Sequence, residues 1–149
     1  MNKKGFTLTE ILAVIVLMAV ISLIAYSATN VVQKSINDRM YKSTLNLIKD
    51  GAKNYGEDRQ AKLDANGVEV SVWDLIKNNY IPLKKVTYND KMNLDTASKN
   101  RYCNNNECLL VVDNRKNMGD DNYILNEKKV KVKYENNRVY VDLLGLDSD

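Results

Sequence analysis

Residues 1–26 read MNKKGFTLTEILAVIVLMAVISLIAY, and the way this stretch is read decides the fold. Lys3 and Lys4 precede Gly5-Phe6-Thr7-Leu8-Thr9-Glu10, after which the aliphatic series begins. From Ile11 to Gln33 no residue is charged, and from Ile11 to Ala25 only Ser22 breaks the apolar run. About 20 apolar residues suffice to span a bilayer as a helix. The lysines lie before the run and the polar bulk after it, so the positive-inside rule keeps the N-terminus cytoplasmic and exports the remainder. Glu10 stands at the threshold of this run, where a carboxylate is expensive and is by default a functional hypothesis.

Three readings of the segment compete. A cleaved secretory signal has a basic start, an apolar stretch and a small-x-small site, here Ala25-Tyr26-Ser27 with cleavage before Ala28, but it leaves GFTLTE unexplained. A plain uncleaved anchor fits the length and gives Glu10 no task. The third reading begins from KKGFTLTE itself. Thr7-Leu8-Thr9-Glu10 is in addition a capping box, with Thr7 as N-cap and Glu10 at the third helical position, which suits the positive end of a helix.

Basic residues, then Gly5-Phe6-Thr7-Leu8-Thr9-Glu10, then a long aliphatic helix, resemble the class III signal of type IV prepilins and of the pseudopilins of type II secretion and competence systems. The resemblance covers roughly the first 30 residues, a motif in a defined structural context. It implies a leader of residues 1–5 removed by a prepilin peptidase between Gly5 and Phe6, where a residue without a side chain lets the scissile backbone lie extended. Phe6, the only phenylalanine, becomes an N-methylated N-terminus. Residues 6–28 form the transmembrane and assembly helix, and 29–149 the globular domain with the amphipathic half of the helix. Phe6 and Glu10 are the implied assembly residues: the Glu10 carboxylate pairs with the N-terminal amine of a neighbouring subunit, each charge offsetting the other's desolvation.

The implied function is a structural subunit of a type IV pilus or pseudopilus, with no catalytic residue, cofactor or metal. Its implied partners are other pilin subunits, the prepilin peptidase, an inner-membrane assembly platform with its ATPase, and the membrane before assembly. The implied location is a single-pass cell membrane protein that becomes part of an extracellular filament. A rival reading is a monomeric membrane-anchored extracellular binding or sensor domain. Many members of the family carry a glycine within the membrane segment and a proline at its end; Ala19 and Ser27 stand there, which removes the usual cause of a kink near Ser27.

The whole chain has 149 residues, enough for one ordinary domain and an anchor. With 22 basic and 19 acidic residues it is too balanced to require a nucleic acid or acidic polymer as partner. There is no histidine, the commonest general base and metal ligand. Past the apolar run, Val32, Ile36, Met40, Thr44, Leu47, Ile48, Ala52 and Tyr55 recur three or four residues apart. They predict one amphipathic helix continuing the anchor, from about Thr7 to Tyr55 and ending between Gly51 and Gly56.

EDRQAKLDANGVE then reads as a polar loop turning at Asn66-Gly67. Ser71-Val72-Trp73-Asp74 caps a short helix running to about Asn78, with Trp73, Leu75 and Ile76 in the core and Pro82 forbidding its continuation. CLLVVD, KKVKVKYE and RVYVDLL read as strands, the last two joined as a hairpin at Glu135-Asn136-Asn137-Arg138. A helix followed by antiparallel strands is an α+β domain, and the resemblance implies the same pilin-like arrangement, a long N-terminal helix packed on a C-terminal antiparallel β-sheet.

Cys103 and Cys108 enclose NNNE; with only two thiols and no histidine they cannot complete a four-ligand zinc site in one chain. Export would expose them to oxidising conditions, and their spacing permits a disulfide without demanding one. DNRKNMGDDN, aligned on Asp113, has Arg115 and Met118 where a calcium loop needs a ligand and a glycine, so it reads as a solvated turn. Lys129, Lys131 and Lys133 alternate with Val130, Val132 and Tyr134 on one strand face. That face reads as solvated, with a DNA contact as the alternative, though it lacks the aromatics of a stacking platform.

Overall fold

A computed structural model describes residues 7–63 and 66–146, with the backbone alone at 24–28. Gly5 and Phe6 therefore lie outside the described residues. The chain divides into two units, one ending at Asn37 and the other beginning at Asp38.

The first element, α1 (Leu8–Asp58), extends three residues beyond the expected end at Tyr55. Gly51 and Gly56, taken from the sequence as markers of that end, lie inside the helix and serve close packing. A Cβ on Gly51 would sit 2.9 Å from the Tyr80 carbonyl oxygen, and one on Gly56 would sit 2.6 Å from Val139 and 2.7 Å from Val132. Helix and strand approach closely at Gly56 because the residue has no side chain.

In the second unit, α1 buries Tyr41, Leu45, Ile48 and Ala52, a run spaced four, three and four residues apart. Ile48 and Ala52 are buried as the sequence spacing predicts, with Leu47 and Tyr55 packed beside them, but at its start the stripe runs through Tyr41 and Leu45 in place of Met40 and Thr44. Met40 is exposed, while Thr44 and Leu47 flank the stripe half-buried. In the first unit Val32 and Ile36 are exposed. The misreading has a simple cause: Met40 and Tyr41 are both acceptable apolar residues, and only the partner surface decides which one turns inward.

That partner is a three-stranded antiparallel sheet in the order β1 (Val68–Ser71), β5 (Lys129–Glu135), β6 (Arg138–Leu144). Val132 pairs with Val68 on one side and Val141 on the other. Val70, Val130 and Val132 are buried against the helix stripe, and Val139, Val141 and Leu143 pack at its margin. The hairpin forms where expected. Asn136 and Asn137 both take left-handed conformations (φ 51° and 63°), as a turn matched to strand twist requires. All seven described non-glycine residues with positive φ are asparagines.

β1 was not foreseen; four residues give too short an alternation to stand out. It leads directly into α2 (Val72–Lys77), capped as expected by the Ser71 hydroxyl, which accepts a 3.0 Å hydrogen bond from the Asp74 amide. Leu75 and Ile76 are buried and Trp73 is half-buried. A second small sheet, in the order β2 (Val86–Thr87), β4 (Glu107–Cys108), β3 (Cys103–Asn104), takes one strand from before α3 (Thr96–Tyr102) and two from after it.

CLLVVD is largely not a strand. Only Cys108 belongs to β4, and Val112 makes a single bridge to Ile124. The buried Asn126 side chain stands in for the missing ladder. It accepts from the Val111 amide at 2.9 Å and donates to the Leu109 carbonyl at 2.9 Å, satisfying backbone groups that burial would otherwise strand.

Candidate processing and assembly site

The N-terminal turn of α1 closes as a reciprocal capping box. The Thr7 amide donates to Glu10 Oε2 at 2.9 Å, the Thr7 hydroxyl donates to the same oxygen at 3.1 Å, and the Glu10 amide donates to Thr7 Oγ1 at 3.3 Å. These bonds satisfy amides that a helix start leaves without partners. They also fix the orientation of the carboxylate. Among the described residues no group bonds its other oxygen, which remains able to accept from a cation.

Beyond Glu10, every large apolar side chain from Ile11 to Leu23 is exposed, from 49% at Val20 to 75% at Leu23. An isolated water-soluble domain rarely shows so long an uncovered apolar surface. A helix apolar on all sides is buried in a membrane or among other helices. The one polar residue in this span, Ser22, donates its hydroxyl to the Met18 carbonyl at 2.7 Å, so no polar group is left for hydrocarbon to strand. Among the described residues no helix is long and apolar enough to cross a membrane.

Residues 1–26 match the family model of the prokaryotic N-terminal methylation motif. This segment is the class III signal peptide of type IV pilins and pseudopilins. No curated protein and no solved structure is significantly similar to the chain. The methylation motif supports a pilin-type or pseudopilin-type precursor, implies processing by a prepilin peptidase and assembly with other pilin subunits, and points to a structural subunit over an enzyme. It covers the capping box and the exposed apolar helix described above. The α+β arrangement of helix and antiparallel sheet is the one expected to accompany it.

The other sequence candidates lie in the second unit, away from the methylation motif. Cys103 and Cys108 pair across the β3–β4 hairpin, where their sulfurs are bonded at 2.08 Å. Lys129 and Lys133 are engaged by carboxylates, Glu69 at 3.2 Å and Asp142 at 2.8 Å, so the strand lysines share their face with acids.

Asp113 departs from the solvated turn expected of it. It is 2% exposed and accepts from Arg115 Nε and Nη2, both at 3.0 Å, while the Arg115 guanidinium lies 3.5 Å from the centre of the Tyr41 ring. The hydrogen bonds that Arg115 donates to the Asp113 carboxylate raise the Arg115 pKa further. This clamp ties the loop after Val112 to α1. No sequence signal marked it, because an Asp-x-Arg triplet in a polar stretch reads the same whether it is buried or wet.

A second network was equally silent. Tyr102 donates to Glu127, which also receives Arg101 at 2.9 Å, and burial followed by the Glu127 hydrogen bond pushes the Tyr102 phenol up to about 12. Among the described residues no cluster of histidine, cysteine and carboxylate side chains has the arrangement of a metal site.

Proposed function

We propose that the chain is a structural subunit of a type IV pilus or pseudopilus, cut between Gly5 and Phe6, N-methylated at Phe6 and polymerised through α1. The observation that carries this reading is the methylation motif over residues 1–26 coinciding with an apolar helix that nothing else in the described chain covers. Before assembly the helix is held in the membrane with the N-terminus cytoplasmic; afterwards neighbouring helices replace the lipid. An inner-membrane platform and its ATPase drive that transfer.

Cleavage creates a new ammonium at Phe6, four residues before Glu10 in the sequence. In a helix bundle of low dielectric, an unpaired charge is far more costly than a paired one, so a neighbour's amine and Glu10 seek each other and set the register. The capping box favours this role, since it holds the carboxylate in one orientation with an oxygen unoccupied. The bridge between Cys103 and Cys108 forms once the domain is outside. The lysines of β5 form a solvated face, with Lys129 and Lys133 ion-paired, and not a DNA track.

N-terminal sequencing and intact mass of the protein from its native membrane and sheared surface fractions test processing. A start at methylated Phe6 is expected. A start at Ala28 would mean a secreted domain, and an intact Met1 would favour the monomeric anchored sensor. Assembly is tested by Glu10→Ala: the variant is expected in the membrane fraction, processed, and missing from sheared filaments. Filaments of normal yield from that variant would remove the proposed pairing.

A further inference from the structure

The main sheet ends at β6, and among the described residues no strand pairs with its outer edge. Because the hairpin turn has two residues, Glu135 and Arg138 close it as the hydrogen-bonded pair. Alternation then leaves Val139, Val141 and Leu143 with N–H and C=O directed away from β5. Among the described residues no hydrogen bond reaches those backbone groups. Natural sheets blunt such edges with proline, bulges or inward-pointing charges. β6 has none of these: its ladder to β5 is unbroken over seven pairs, and its inward residues are aliphatic.

A cationic seam lies behind this edge. Toward the end of β6, Lys42, Asn46 and Lys49 of α1 face Leu143 around a hollow of about 340 Å³. Toward its start, Lys53 and Glu57 face Arg138 and Val139 around a hollow of about 470 Å³. Among the described residues, Glu57, 3.8 Å from Lys53, is the only carboxylate lining either hollow, and Lys42, Lys49 and Arg138 make no ion pair.

We infer that the β6 edge and this seam form a docking site for an extended acidic segment of a partner protein, which joins the sheet as a strand beside β6. Main-chain hydrogen bonds to Val139, Val141 and Leu143 hold it whatever its sequence. Its alternate side chains point into the seam, where the uncompensated lysines select aspartate or glutamate. A second copy pairing through its own β6 would bring like charges together, which cross-strand packing disfavours. The inference does not depend on the filament reading, since the whole site lies in the second unit.

The test uses the full chain in detergent micelles and a fluorescent peptide alternating glutamate and valine. Saturable binding is expected, weaker by about tenfold for the same peptide with lysine in place of glutamate and for the double variant Lys42→Glu/Lys49→Glu. A similar loss is expected for Val141→Pro, which removes an outward donor and no bond to β5. Amide exchange on the unaltered protein adds a readout that needs no variant: Val139, Val141 and Leu143 should become protected when the peptide is added. Equal binding of the lysine peptide, or no protection at those three amides, overturns the inference. So does tighter binding of oligothymidylate at the same lysines, which would make the seam a nucleic-acid track.

Discussion

Truncating Arg115 to alanine would leave the Asp113 carboxylate buried with neither of its guanidinium donors. Removing one partner of a deeply buried pair costs about 3 to 5 kcal/mol. Arg115 itself keeps about a quarter of its side chain exposed, so water can reach part of the site. A loss of about 2 kcal/mol in urea unfolding is therefore expected for Arg115→Ala; an unchanged midpoint would mean the clamp is ornamental. Tyr102 supplies a pH dependence. Its folded pKa of about 12 lies above the ordinary 10.0, so the protonated phenol is favoured by folding. That stabilisation is fully present below pH 10 and is lost as pH rises through 12. Tyr102→Phe should flatten the fall in unfolding midpoint across that window. At this scale Glu10 and the cysteine pair stood out in the sequence because their neighbours were unusual. Asp113 and Tyr102 did not, because burial of a polar group depends on residues far along the chain.

Among the elements, α1 and the β5–β6 hairpin were legible, and the small strands were not. Long periodicity survives local noise, whereas β1 to β4 span four residues or fewer and take their conformation from tertiary neighbours. Leu109 to Val112 misled in the opposite direction: an aliphatic run with good strand propensity shares its backbone bonds between the Asn126 side chain and scattered backbone partners, with one strand-like bridge. The glycines of α1 give the sharpest test at this level. Gly56→Ala must push Val139 and Val132 aside, and overpacking of that kind costs about 1 to 3 kcal/mol. Thermal melting should show the loss. A melting point equal to or above that of the parent would mean helix and sheet can separate freely at this contact.

For the molecule as a whole, the division after Asn37 has a measurable meaning. Every buried member of the main core lies at or beyond Tyr41, so the second unit keeps its packing when the first is removed. A chain beginning at Asp38 should be monomeric in sedimentation without detergent, with a circular dichroism spectrum of mixed helix and strand. Aggregation or loss of cooperative melting in that truncation would show that the core needs the first unit. The outline of the molecule, an apolar helix followed by an α+β domain, could be read from hydropathy alone. The α1 stripe could be read only in its second half, at Ile48 and Ala52; its start could not, since Met40 and Tyr41 differ only in what faces them. The asparagine turns bear on the denatured chain more than on the native one. Glycine would adopt those left-handed conformations with less strain, yet it would leave the unfolded polymer freer at each position. By placing asparagine at seven of them, the sequence accepts slight native strain in return for a denatured ensemble with less disorder to surrender when it folds.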